Sequence, residues 1–262
     1  MCKNVFFSDL DENSPYDFSE LIPAILKNSE KINVNLEFQY LYLYRGEQYF
    51  VPDIIKNETI HFSNASSFED PSDCIIPKDT YISFIKNKNP LVDAEYMYKE
   101  LCELRDNTVI SCLTSSNENN SMWIKYAENY KGICIQYDIY RFFYENEFSN
   151  SMPLLPVIYT NEAHKILDIA YRNKQLIFTP GIINLMVLCK TKKWSFEEEW
   201  RFFNRTENLT SPFFYCPISK IFTGPRFDEN KIKDDILEEA HKKNIPIIPV
   251  QLDQQGNITI QE

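Results

Sequence analysis

Strand-like runs and amphipathic helices follow one another along this chain without a regular strand–helix alternation. That order constrains the fold more than any other feature. A doubly wound sheet or a closed barrel needs a helix after nearly every strand. Here LEFQYLYLYRG (36–46), the start of TIHFSNASSFEDPSD (59–73), TVISCL (108–113), GICIQYD (132–138), LLPVIYT (154–160), FEEEWRFFNR (196–205) and ISKIFTG (218–224) read as strands. DFSELIPAILKN (17–28), DAEYMYKELCELRDN (93–107), SMWIKYAENYK (121–131), EAHKILDIAYRNKQ (162–175), GIINLMVLCKT (181–191) and ENKIKDDILEEAHKKN (229–244) have helical spacing. IPIIPVQLD and NITIQE close the chain as a β-pair. The pattern predicts an α+β protein: a mixed, largely antiparallel sheet with helices packed around it. The acidic residues 1–16 read as a loose N-terminal segment, and 17–262 as a single α+β domain.

Composition narrows the function. Aromatic residues make up 15% of the 262, enough to fill a sizeable core. There are only five glycines, and neither a GxGxxG nor a Walker A loop occurs, so the usual glycine phosphate cradles are absent. Lys and Arg total 27 against 38 Asp and Glu, a net charge of −11. Such a surface repels bare nucleic acid and anionic membrane, so nucleic acid would need a local basic patch. Seven cysteines with no CxxC spacing and three scattered histidines give no metal-ligand pattern, and no metal is expected. MCKNVFFSDLDENSP lacks the apolar stretch of a signal peptide, and no apolar run reaches the length of a membrane span. The expected setting is cytoplasmic and reducing, with all seven thiols reduced.

Four groups of residues carry potential chemistry. Arg45 ends a hydrophobic strand before Gly46, where a guanidinium can reach a phosphate or carboxylate. The plain alternative is a strand-end arginine paired with a surface acid. Ser63, in HFSNASSF, offers a hydroxyl at a strand end, or ordinary turn chemistry. Glu197, Glu199 and Arg201 share one face if 196–205 is a strand, with Phe196, Glu198, Trp200 and Phe202 on the other. Two same-face carboxylates suit stabilisation of a cationic transition state or activation of a hydroxyl; the alternative is a solvated acidic edge. Trp123 and Tyr126 lie three apart on one helix face, where they either stack on a planar ligand ring or pack in the core.

Taken in order, these motifs resemble a bacterial family of unknown function, DUF family twenty-nine seventy-one. The matching residues are Tyr44-Arg45, Phe68, Asp70-Pro71, Met122-Trp123, Tyr126-Ala127, Lys131-Gly132, Trp194, Glu197, Glu199-Trp200-Arg201, Ile218, Ile221 and Gly224. Glu69 stands where that family usually has Asn. The chain also resembles, more faintly, the Arg-Ser-Glu plan of ADP-ribosyltransferases. That second resemblance implies an NAD-consuming enzyme, a toxin or defence effector with a cognate antitoxin or immunity protein. Arg45 and Ser63 would bind NAD, Glu199 would stabilise the oxocarbenium ion as nicotinamide leaves, and Glu197 would face a macromolecular or small-molecule acceptor; Trp123 and Tyr126, on the stacking reading, would bind the flat ring of NAD. Ser111, Ser115 and Ser116 are alternatives to Ser63.

Two other readings stay open. A metal-dependent nuclease would use Asp70, Asp73, Glu197 and Glu199 with Lys190, Lys192 or Lys193. A non-catalytic binding or regulatory module would use the same aromatics as core and the same acids as a solvated edge.

Overall fold

The computed structural model describes residues 39–260 apart from 69, 71, 146–151, 163, 165, 166, 169, 170 and 172–179. The segment 1–16, the helix read over 17–28 and much of the one over 162–175 lie outside the described residues.

Thirteen strands and seven helices of the described chain alternate irregularly. They run β1 (Tyr40–Arg45), α1 (Val51–Asn57), β2 (Thr59–His61), β3 (Ser63–Asn64), α2 (Lys78–Lys88), α3 (Ala94–Asp106), β4 (Thr108–Thr114), α4 (Asn120–Lys125), β5 (Ile133–Asp138), α5 (Ile139–Glu145), β6 (Leu154–Pro156) and β7 (Ile158–Tyr159). There follow α6 (Pro180–Val187), β8 (Cys189–Lys190), a 3₁₀ turn (Lys192–Glu197), β9 (Glu199–Arg205), β10 (Phe213–Tyr215), β11 (Ile218–Thr223), α7 (Lys233–Lys242), β12 (Ile247–Leu252) and β13 (Ile258–Ile260). Side-chain caps start two of the helices: Asp93 accepts from Tyr96 N at 3.0 Å and Asn119 from Met122 N at 3.2 Å. Among the described residues no helix is long and apolar enough to cross a membrane.

Nine strands form one sheet in the order β13-β12-β11-β5-β1-β4-β9-β6, with β3 paired to β4 beside β1. Of its pairings only β11–β12 is parallel. The fold is therefore α+β, and KGICIQYD, FEEEWRFF and KIFTG do contribute strands to a common sheet. One face carries Leu41, Ile135, Tyr137, Trp200, Phe202 and Ile221, covered by Ile54 and Ile55 of α1, Phe142 of α5 and Ile236 of α7. The other face carries two separate clusters. One packs Ile110 and Phe203 against Ile82 and Leu101 of α2 and α3 and against α6. The second packs Tyr44, Cys134 and Phe222 against Met122 and Trp123 of α4.

The sheet splits between these two clusters. β1 pairs with β5 along its full length, from Tyr40↔Asp138 to Arg45↔Ile133, but meets β4 at the single pair Tyr42↔Thr114. Further along, the same edge of β4 pairs with β3, at Ser63↔Ile110 and Asn64↔Val109. β1 and β4 thus diverge from Tyr42 onward, and the end of β1 that carries Arg45 borders a gap. On its other side this end of β1 is met closely by Gly132: a Cβ there would lie 2.0 Å from the carbonyl oxygen of Arg45.

Candidate functional site

A cavity of about 740 Å³ occupies the split and the space between the two clusters. That volume suits a small organic ligand. Arg45, Ser63, Tyr126, Glu197 and Glu199 all line it. Trp123 does not. Its ring is fully buried, edge-on to Tyr44 at 5.2 Å between centroids, and its indole N–H donates to the Asn117 carbonyl at 2.8 Å. Of the two readings of Trp123 the fold provides the core one: it does not line the cavity but supports the strand and helix that do. The other candidate serines are placed elsewhere: Ser111 is buried in β4, Ser115 donates to Glu198 at 3.0 Å, and Ser116 offers its carbonyl to Tyr44.

The two glutamates reach the cavity differently from the strand reading. The segment 192–197 is a 3₁₀ turn, Glu198 takes a left-handed conformation (φ 46°), and the strand starts only at Glu199. Glu197 therefore does not share a strand face with Glu199 and Arg201. A third residue brings the carboxylates together. Lys190, at the end of β8, donates to Glu197 Oε2 and, at 3.0 Å, to Glu199 Oε2, and lies 3.3 Å from Asp73 Oδ2.

Behind Lys190, Arg201 is completely buried. Its Nε donates to Glu199 Oε1 at 2.7 Å, and Nη2 donates to Asp73 Oδ1 and Oδ2 at 2.9 and 3.0 Å. Nη1 donates to the Val187 carbonyl at the end of α6, and its plane lies over the Phe68 ring. Arg201 thus ties β9, α6 and the loop after β3 into one charge network. Sequence reasoning assigned it no role.

The network sets the two glutamates apart. Burial pushes the Glu199 carboxyl up, but Arg201 and Lys190 more than offset this and hold it below the ordinary range. Burial also pushes Glu197 up; Lys190 opposes this incompletely, and the charge of Glu199 adds to it, so Glu197 stays above the ordinary range. Glu197 also accepts from the Tyr126 hydroxyl and lies 3.8 Å from Lys125 Nζ. One carboxylate is clamped and ionised, while its neighbour is poised to take a proton.

Trp194 forms one wall. Its indole N–H donates to Asp70, whose carboxyl also accepts from the Ser72 hydroxyl at 2.6 Å and pairs with Lys193 at 3.0 Å. Those hydrogen bonds, led by Ser72, hold Asp70 ionised well below the ordinary range.

Arg45 stands at the far side of the split. By strand alternation it belongs to the face of Leu41 and Leu43, opposite Glu199, and the gap between β1 and β4 brings both into the same cavity. Its Nη1 donates to the Tyr44 carbonyl at 3.2 Å, while Nε is buried with no partner. No carboxylate pairs with it among the described residues. Enclosure by the protein lowers its pKa from the ordinary value. The plain reading, an arginine paired with a surface acid, is therefore not what the fold provides. Ser63, near it, hydrogen-bonds His61 Nδ1 at 3.2 Å.

Charge inside the cavity differs from charge outside. Arg45, Lys125, Lys190 and Lys193 line it together with Asp70, Asp73, Glu197 and Glu199. The lining is balanced, in a chain of net charge −11. No curated protein and no solved structure matches the chain. Residues 122–202, which run from α4 into β9, match the family described as "Protein of unknown function (DUF2971)", the family that the Trp123–Tyr126 and Glu199–Trp200–Arg201 motifs resemble.

Proposed function

We propose that this cavity binds NAD and breaks its nicotinamide–ribose bond, in the manner of an ADP-ribosyltransferase. The observation that carries this reading is the presence of Arg45, Ser63, Glu197 and Glu199 in the lining of one cavity. Arg45 supplies a cation without a protein counter-ion for the pyrophosphate. A half-buried guanidinium with an unpartnered Nε and no carboxylate beside it is costly to fold around, and an anionic ligand offsets that cost. Glu199, held ionised by Arg201 and Lys190, turns its negative charge toward a ribose hydroxyl in the cavity. As the bond breaks, its electron pair leaves with nicotinamide, and positive charge develops on the ribose carbon. The acidic side of the cavity stabilises that charge. Glu197, with its raised pKa, takes the proton of the attacking acceptor hydroxyl or amine.

Calorimetric titration with NAD, together with an assay of nicotinamide release with cell extract as acceptor, tests the proposal. Arg45→Met should weaken NAD binding at least tenfold, because that contact exists in the ground state. Glu197→Gln should leave NAD affinity within a few-fold and lower turnover about a hundredfold. A wild-type protein that neither binds NAD nor releases nicotinamide refutes the reading.

A further inference from the structure

An ammonium group already lies on the aromatic wall. Lys125 Nζ is 3.2 Å from the centroid of the Trp194 ring, and 4.9 and 5.9 Å from those of Tyr126 and Phe196. Lys190 and Lys193 approach the same indole at 5.6 and 5.1 Å. Asp70 fixes the orientation of that ring through its N–H. Indole faces attract cations through their quadrupole, more strongly when water is excluded. The aromatic group is thus a cation seat whose present occupant is a side chain of the protein. That occupant sits at the edge of the seat: Lys125 ends α4 and its side chain is 37% exposed.

We infer that the Trp194 face seats the cationic pyridinium ring of oxidised NAD, and that Lys125 is the side chain this ring displaces. The inference rests on the NAD reading above and adds a specificity to it: a charged pyridinium is preferred to the neutral dihydropyridine of NADH. Location supports it. Glu197 Oε1 lies 3.8 Å from the ammonium that marks the seat, so a ring placed there brings its glycosidic carbon to the acidic side of the cavity. The seat also favours departure of the product. When the carbon–nitrogen bond breaks, its electron pair passes to nitrogen and the ring becomes neutral nicotinamide. The attraction of the indole face is then lost, and Lys125 returns.

The test uses calorimetric titration with NAD, NADH, the N-methylnicotinamide cation and neutral nicotinamide. Wild type should bind NAD and the methylated cation roughly tenfold more tightly than their neutral counterparts. Lys125→Met, at an exposed position, should tighten binding of both cations by removing the competitor. Trp194→Leu should abolish the cation preference, and Trp194→Phe should retain part of it, with circular dichroism confirming that both remain folded. Equal affinity for charged and neutral rings in wild type, or weaker cation binding by Lys125→Met, overturns the inference. If NAD binds while Trp194→Leu leaves the NAD to NADH ratio unchanged, the seat is wrong and the NAD reading survives. If the methylated cation is preferred while neither dinucleotide binds, the dinucleotide assignment falls and only a cation seat remains.

Discussion

Replacing Arg201 with methionine removes the centre of the charge network while keeping an apolar stem of similar length. In the native protein three carboxylates, of Asp73, Glu197 and Glu199, face two cations, Lys190 and Arg201. The variant leaves the three buried acids to Lys190, with the partly exposed Lys125 near Glu197 alone. Breaking a buried ion pair by removing one partner costs about 3–5 kcal/mol, because the other charge stays buried without compensation. A typical domain is stable by about 5–15 kcal/mol, so the variant should still fold.

The cost should depend on pH with a definite sign. In the native protein the Glu199 pKa is depressed, so its stabilisation is complete above its ordinary value of 4.5 and is lost as pH falls below that. In Arg201→Met the larger of the two cationic influences is gone, and burial moves the Glu199 pKa up from its depressed position. Because the folded-state pKa is higher in the variant than in the native protein, the stability difference between them grows as pH rises through the variant's pKa. The destabilisation should therefore be larger at neutral than at weakly acidic pH, by about 1.4 kcal/mol for each tenfold rise in the proton affinity of Glu199. Urea unfolding followed by tryptophan fluorescence at pH 5 and pH 8 measures it. Adding Glu199→Gln to Arg201→Met should recover part of the loss at pH 8 and reduce the pH dependence. A loss under about 1 kcal/mol at pH 8, or the same loss at both pH values, would show that the network is not held by charge as described.

Trp200→Ala should cost about 3–5 kcal/mol in the same assay, because Trp200 packs in the cluster of Leu41, Phe142 and Phe202. Gly132→Ala should lower stability, since the new methyl group displaces the Arg45 carbonyl and with it the end of β1, and on the proposed NAD reading it should weaken NAD binding as well. Arg45→Met should leave urea stability unchanged or raise it, in contrast to Arg201→Met, because no carboxylate is stranded. Native-state alkylation should label Cys74, Cys134 and Cys216 slowly, since they are buried and burial raises each thiol pKa, and unfolding without reductant should expose seven reactive thiols.

Much of the sheet was legible because its strands are short apolar runs bounded by turns or helices. The readings 108–113, 132–138 and 218–224 differ from β4, β5 and β11 by a residue at one end. What was not legible has local causes. α1, α2 and α5 were left unassigned; α1 and α5 are only seven residues each, and α2 buries just Tyr81, Ile82 and Ile85. The helix read over 121–131 ends at Lys125, because Glu128, Asn129 and Tyr130 all take positive φ to turn the chain back into β5. The strand read from 196 begins at 199 for a similar reason, the left-handed Glu198. Neither turn carries a glycine at those positions, so the usual signal for such a backbone is missing.

The site divides along the same line between local and distant information. Glu197, Glu199 and Arg45 stand out in the sequence because each sits in an unusual neighbourhood of residue types. Their partners do not, because partnership is tertiary: Asp73 and Lys190 lie 128 and 11 positions from Arg201, in different elements. The sequence did offer Asp73 and Lys190 as members of a metal-binding nuclease set. In the folded chain the ammonium of Lys190 stands where Asp73, Glu197 and Glu199 converge, so the same acids serve a different cation. The two arginines then separate in role by their partners alone. Arg201 is fully buried and saturated by two carboxylates, a carbonyl and a thiol, so its charge is spent inside the protein. Arg45 lines the cavity with an unpartnered Nε and, among the described residues, no acid paired to it. A fold that surrounds one guanidinium with carboxylates and shields the other from them keeps the second available to an anion from outside.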